Sequence, residues 1–302
     1  MKNFTEIGSK TLRFFVASKE KGIKLLAFLK EKCHHISSVK ALKRAIEAKA
    51  CKVNGKVERF STSILQTGDE VEFNLEVLKA KRSVPKKITI LHEDEDLLIC
   101  DKPAGVISQN EPFQKAFPQF KTRLKLVHRL DKETSGIIVL AKNEEAKKKM
   151  EQLFEERKVY KAYLAIVDGI PGSLSGKIVN YMAKIGSFHG QSIWGVVKKK
   201  GLRAITGWKV LRRGKKTALV LCEPETGRTH QIRVHLLEMG HPILGDFQYC
   251  RDFACPYPAE RQLLHAYRLS FDHPITQKKI DCLAPIPEDF HQAQEALNLT
   301  FS

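Results

Sequence analysis

The chain has 302 residues, 42% of them hydrophobic and 28% charged, which is enough for more than one compact unit with a buried core. Lys and Arg number 52 against 34 Asp and Glu, a net charge of +18 that favours a polyanionic partner. No apolar run approaches the ~20 residues of a membrane span. The seven scattered cysteines read as reduced thiols of a cytoplasmic protein, and the C-x4-C pair Cys250 and Cys255 has no second pair at zinc-ribbon spacing to accompany it.

Half of the net charge lies early: residues 1–82 hold 18 Lys and Arg against 9 Asp and Glu. Ile23, Leu25, Leu26 and Leu29 predict a first amphipathic helix. Ser37-Ser38 supplies a cap for a second, in which Val39, Leu42 and Ile46 recur at helical spacing among Lys40, Lys43, Arg44 and Lys49. Cys51–Val57 reads as two short strands around an Asn54-Gly55 turn, with another strand over Val71–Phe73. These charges form either a solvated face or a phosphate-binding surface. Residues 13–76 resemble the S4-type RNA-binding module, although Lys24-Leu25-Leu26 stands where that family often has Arg-Leu-Asp. The resemblance implies RNA contacts from Lys24, Ser38, Lys40, Lys43, Arg44, Lys52, Asn54 and Lys56. The module is expected over residues 1–78, and the basic, aperiodic stretch 79–87 as a linker.

Residues 88–302 then form a second domain. Strands are expected over Ile88–Leu91 and Leu97–Cys100, followed by a turn in which Lys102 reads as a solvated lysine or a phosphate contact. Residues 109–123 look irregular, either closing over a site or packing against it. Next comes V-H-R-L-D-K-E-T-S-G at 127–136, leading into the apolar strand Ile137–Leu140. If the stretch is extended, Arg129 and Asp131 share a face opposite His128. Locally, Asp131 is either a turn-capping carboxylate or a reactive group held rigidly by the strand.

Asn143 predicts a helix with Ala146, Met150, Leu153 and Phe154 on its apolar side. Val159–Val167 is a strand with Tyr160 near its start, a packing residue or a ring that can stack on a base. Residues 172–201 give no clear assignment. Ala204–Leu211 and Thr217–Cys222 pair around the basic turn 212–216. In E-T-G-R-T-H-Q-I-R-V-H-L at 225–236, Thr229 caps a helix closed by Gly240. Arg228 then sits at the positive end of that helix, where a carboxylate or a phosphate would explain it. Leu263–Ala266 and Leu269–Phe271 form a buried helix or strand pair, and a last strand leads to a short C-terminal tail.

The stretches H-R-L-D-K-E-T-S-G, R-K-V-Y-K-A-Y-L-A, G-R-T-H-Q-I-R-V-H-L and L-L-H-A-Y-R-L-S-F, in this order, resemble the RluA family of pseudouridine synthases over about residues 88–287. Cys250 stands where that family commonly has Gly. The resemblance implies an α+β fold, an S4-type domain followed by a synthase core with a mixed, largely antiparallel sheet. It implies catalytic roles for Asp131 as nucleophile, Tyr160 as the aromatic that stacks on the base, and Arg228 as the partner of Asp131. Arg129 would fill the space left by an extruded base, with His128, Thr229, His230, Gln231 and Leu264 also on the substrate side. No cofactor or metal is implied, since the reaction involves neither redox chemistry nor hydrolysis. The expected partner is RNA, ribosomal RNA of the large subunit ahead of transfer RNA, for a monomer without membrane or protein partners. Two other classes fit less well. A catalytically silent RNA-binding or ribosome-assembly protein has no need of Asp131, Tyr160 and Arg228 together, and a carboxylate-dependent hydrolase should show a second carboxylate or metal ligands.

Overall fold

The computed structural model describes residues 4–6, 11–33, 38–76, 87–120, 124–188 and 191–300. The expected linker, Lys87 apart, lies outside these. The chain divides into two units, residues 1–85 with 187–192, and residues 86–186 with 193–302. Among the described residues no helix is long and apolar enough to cross a membrane.

The first unit carries a five-stranded sheet in the order β1-β2-β5-β3-β4, formed by Phe4–Glu6, Thr11–Phe15, Cys51–Val53, Lys56–Glu58 and Glu70–Asn74 numbered in chain order. Two helices, α1 (Leu25–Lys32) and α2 (Val39–Glu47), bury Leu25, Phe28, Leu29, Leu42 and Ile46 together with Phe14 and Phe73 of the sheet. The Ser38 hydroxyl accepts the Ala41 N–H and caps α2. Asn54 and Gly55 both have positive φ, 52° and 76°, as a two-residue hairpin turn of this hand requires.

The second unit is built on an eleven-stranded sheet. Its strands are β6 (Thr89–Glu93), β7 (Leu97–Lys102), β8 (Lys125–Leu126), β9 (Ser135–Ala141), β10 (Tyr160–Asp168), β11 (Ser175–Phe188), β12 (Gln191–Val196), β13 (Leu202–Arg213), β14 (Thr217–Pro224), β15 (Leu264–Asp272) and β16 (Lys279–Leu283). The path runs β12-β11-β13-β14-β10-β15-β9-β7-β6, with β16 on β15 and β8 on β9. The described pairings are antiparallel except β9 with β15, which meet in parallel at Ser135–His265 and Gly136–Ala266. Gly136 is required there: its φ is +109°, and a Cβ would stand 2.2 Å from the Ala266 carbonyl oxygen.

The run 137–141 is continuously apolar because both faces of β9 are covered. Ile137, Val139 and Ala141 pack with Ala146 and Met150 of α4 (Glu144–Glu155), which Asn143 caps through the Ala146 N–H. Ile138 and Leu140 pack with Phe113, Phe117 and Leu124 on the other side. Those phenylalanines belong to α3 (Asn110–Ala116) and the turn after it, so residues 109–123 are not irregular throughout. Phe113 and Phe117, four apart, are the apolar stripe that holds this short helix down.

Three further expectations change. The unassigned stretch 172–201 contains the 14-residue strand β11 and its partner β12. Leu264–Asp272 is one strand rather than a pair. The expected tail is a helix, α6 (Glu288–Ala296), because Phe290 and Ala293 bury one face of it in the core with Leu299. Pro285 and Pro287 precede this helix rather than ending structure.

Candidate active site

The loop from Leu130 to Ser135 is tied down at nearly every residue. The Ser108 hydroxyl donates to the Leu130 carbonyl at 2.7 Å and accepts its N–H at 3.0 Å. Lys102 is fully buried and donates to the carbonyls of Lys132, Pro103 and Val106 at 3.2, 3.2 and 3.0 Å. It is therefore not the solvated turn lysine that the sequence favours. Three acceptors around one Nζ suit an ammonium with three N–H donors, while burial draws its pKa down to about 7. Arg261, 4% exposed, donates to the Glu133 carbonyl and the Ser135 hydroxyl, with its charge matched by a two-pronged pair to Asp289 of α6. Gln262 donates to the Thr134 hydroxyl at 2.9 Å.

Asp131 faces the helix α5 (Gln231–Glu238) from the end of this loop. Its partner is Arg233, not Arg228. Arg233 Nη1 donates to Asp131 Oδ2 at 3.0 Å, while Nε and Nη2 grip Asp246 at 2.7 and 2.8 Å and Nη2 reaches Gln248 at 2.6 Å. Burial opposes the charge on Arg233, but Asp246 and Asp131 outweigh it and raise its pKa. The other oxygen, Asp131 Oδ1, lies 3.9 Å from His230 Nε2. Arg228 lies in the loop before the helix, and its Nε is held by the Arg203 carbonyl at 3.1 Å.

A pocket opens at Asp131, lined by Arg129, Lys161, Tyr163, Arg228, His230 and Leu264 among others. Gln231 also reaches it, but its amide is committed to the scaffold. Its oxygen accepts from the Thr226 hydroxyl and the Arg228 N–H, and its nitrogen donates to Ile205 and Thr206. These bonds organise the helix start in place of the expected Thr229 cap. Thr229 lies in the preceding turn and does not line the pocket, and the cap position falls on His230, whose φ is +57°.

Two expected residues face elsewhere. His128 accepts the Val139 N–H through Nε2 and packs on Phe154, so it anchors the loop from behind. Burial lowers its pKa to about 3. Tyr160 is 41% exposed and donates its hydroxyl proton to Glu223 at the sheet surface. The aromatic in the pocket is Tyr163. Three residues apart on a strand, Tyr160 and Tyr163 point to opposite faces, and burial with the Asp131 charge pushes the Tyr163 phenol upward in pKa. Lys161, on the Tyr163 side, is lowered to about 8 by burial and by Arg157.

In the first unit, Lys24, Ser38, Lys40, Lys43, Arg44, Lys52, Asn54 and Lys56 are all exposed. The Asn54 amide is used within the fold, donating to Asp69 and accepting from the Glu70 N–H. Asp94, Asp96 and His273 also cluster. His273 Nδ1 accepts two backbone N–H groups, so its Nε2 carries the hydrogen toward Asp94 at 3.4 Å and offers no lone pair to a metal.

Sequence reasoning passed over Arg233, Tyr163, Arg261 and Asp246 and misplaced Lys102 at the surface. A signal existed for two of them. An arginine flanked by Ile232 and Val234, in a helix that also carries Leu236 and Leu237, is a candidate for burial and then needs a carboxylate, and strand alternation allows only one of the two tyrosines to face a given site.

The profile of the family described as RNA pseudouridylate synthase matches residues 96–238, spanning Asp131, Tyr163 and Arg233. An uncharacterized RNA pseudouridine synthase of Synechocystis sp. is 33% identical over 297 residues, covering 92% of this chain and 90% of that protein. The ribosomal large subunit pseudouridine synthase D of Buchnera aphidicola is 33% identical over 263 residues, covering 78% of this chain and 82% of that one. Among solved structures, human RNA pseudouridylate synthase domain containing 4 superposes with a TM-score of 0.60 at 26% identity, covering 70% of this chain and 94% of that chain. With a relative 33% identical over 92% of its length and a synthase fold that superposes on its mixed sheet, this chain belongs to the RluA-type RNA pseudouridine synthases, isomerases that act on RNA.

Proposed function

We propose that the protein converts uridine to pseudouridine in large-subunit ribosomal RNA, with Asp131 as the reacting carboxylate. The observation that carries this reading is the asymmetry of Asp131: one oxygen is fixed by Arg233 and the other faces the pocket. Isomerisation breaks the N1–C1′ bond, turns the base and joins C5 to C1′. The C5 edge is inaccessible in a stack, so the nucleotide must be flipped out. An oriented carboxylate can then act covalently or as a base at the sugar. Tyr163 takes the stacking role that the sequence assigned to Tyr160, because its ring lines the pocket beside Asp131. Arg129, exposed at the rim, would enter the space that the base leaves.

The first unit is read as an S4-type module over residues 1–78 that grips RNA phosphates through Lys24, Lys40, Lys43, Arg44, Lys52 and Lys56, all exposed. Preference for ribosomal RNA rests on the Buchnera relative, whose name specifies the large ribosomal subunit. The seven free cysteines suit a reducing cytoplasm. The test incubates large-subunit ribosomal RNA and transfer RNA with wild type and with Asp131→Asn, then maps pseudouridine chemically. Product on ribosomal RNA with wild type alone is expected. Product confined to transfer RNA would overturn the substrate assignment, and equal product from the variant would overturn the role of Asp131.

A further inference from the structure

His230 and Tyr249 form a chain behind Asp131 that the reaction outlined above does not use. Tyr249 Oη accepts the Trp194 backbone N–H of β12 at 3.1 Å and lies 2.7 Å from His230 Nδ1. The rings meet edge to face, at 86° and 5.6 Å between centroids. The face of the tyrosine ring supports Arg233, whose guanidinium carbon is 4.8 Å from its centroid.

A count of protons fixes the direction of the chain. A backbone N–H can only donate, so one lone pair of Oη is occupied by Trp194. The hydroxyl proton needs an acceptor, and His230 Nδ1 is the one present among the described residues. The reverse arrangement, Nδ1–H donating to Oη, would leave that hydroxyl proton with no acceptor among the described residues. His230 Nδ1 is therefore unprotonated, and the hydrogen of the neutral ring lies on Nε2. Burial, followed by the Arg233 charge, lowers the His230 pKa to about 4, which keeps the ring neutral at physiological pH.

We propose that Tyr249 is a positioning residue: its hydroxyl, anchored by the Trp194 N–H, locks His230 in the tautomer that presents an Nε2–H donor to the open oxygen of Asp131. The inference rests on the reading of Asp131 as the reacting carboxylate. The donor at 3.9 Å is close enough to meet Oδ1, or a substrate oxygen brought against it, after a small shift. Being neutral, it does not compete with Arg233 for the carboxylate. It also links His230, beside Asp131, to β12 through the Trp194 N–H.

The test labels histidine with ¹⁵N and reads long-range proton–nitrogen correlations. In the wild type the His230 pattern is expected to show Nε2 protonated and Nδ1 bare. Tyr249→Phe keeps the ring beneath Arg233 and removes only the hydroxyl. It should give a mixture of tautomers, with kcat reduced about tenfold, the scale of one hydrogen bond, and KM for RNA unchanged. His230→Gln, which keeps an N–H donor near the Nε2 position, should retain more activity than His230→Ala. A wild-type Nδ1–H tautomer, or wild-type kcat and tautomer in Tyr249→Phe, would overturn the proposal. Asp131→Asn separates the two readings: if it is inactive while Tyr249→Phe behaves as wild type, only the tautomer lock is wrong, whereas an active Asp131→Asn removes the carboxylate reading itself.

Discussion

Arg233→Met removes one guanidinium from between two carboxylates, and the structure says which of them will matter for stability. The Asp131 side chain keeps 24% of its surface in solvent, whereas Asp246 keeps 3%. The cost of the substitution therefore falls mainly on Asp246, left as a buried charge without its two-pronged partner. Breaking such a pair costs about 3–5 kcal/mol. At roughly 2–4 °C per kcal/mol for a unit of this size, the unfolding midpoint should fall by about 6–20 °C. Replacing Asp246 as well, in Arg233→Met/Asp246→Leu, removes the orphaned charge and should recover most of that loss. Activity should not return with it, because Asp131 Oδ2 still lacks its anchor. A loss of roughly a hundredfold or more in kcat is expected in both variants, the usual result of misplacing a reacting group by about 1 Å. Thermal unfolding followed by circular dichroism and single-turnover isomerisation on ribosomal RNA measure the two effects separately. If the double variant is no more stable than Arg233→Met, the buried-carboxylate argument is wrong. If either variant turns over at the wild-type rate, Arg233 does not orient the reacting group.

The two tyrosines give a direct contrast. Tyr160→Phe, which loses only the surface bond to Glu223, should stay within about twofold of wild-type kcat, whereas Tyr163→Ala should lose on the order of a hundredfold; a larger loss from Tyr160→Phe would return the site role to that residue. His128 supplies a pH effect. Its folded pKa of about 3 lies below its unfolded value near 6.5, so the unfolded chain binds more protons between those values. Stability should thus be full above pH 6.5 and fall as pH drops through this window, with a slope of up to ~1.4 kcal/mol per pH unit from this one group. His128→Gln, which can still accept the Val139 N–H, should flatten the urea-derived stability profile between pH 4 and 6.5, and an unchanged slope would count against a buried neutral ring. In the first unit, Lys40→Ala/Lys43→Ala/Arg44→Ala should weaken RNA binding and shallow its salt dependence by up to about three phosphate contacts; identical slopes in a filter-binding salt series would mean that α2 does not face RNA.

Local patterns carried much of the secondary structure. Asn143 caps α4, and Asn54-Gly55 turns its hairpin, because both signals act within a few residues. The failures share a cause. Residues 172–201 contain few buried apolar side chains, so β11 has almost no alternation to read. Val179, Tyr181 and Ile185 are exposed, and the strand exists through its ladder with β13. The C-terminal helix is a short amphipathic segment whose apolar face has meaning only against a core assembled from separate elements between Leu164 and Leu264.

The candidate loop was legible in the sequence, but the pairing of its carboxylate was not. Asp131 could be singled out from its loop and strand, yet its partner is 102 residues away, on a helix with one arginine in its first turn and another, Arg228, in the loop just before it. The helix-dipole argument applied to Arg228 holds better for Arg233. That cation lies in the first turn, where the dipole disfavours it, and two carboxylates are present to hold it. Lys102, Arg233 and Arg261 are each at least 96% buried, and each reaches the loop 130–135 or its aspartate. Burying a cation is costly even when it is paired. Three of them converging on six residues is not a pattern that packing alone would select, since apolar side chains of similar length would fill the same space at less cost. It is what a loop requires when its carbonyls must be satisfied away from water and its carboxylate must not move. The concentration of buried charge thus marks, independently of the family match, the loop 130–135 that carries the proposed reacting carboxylate.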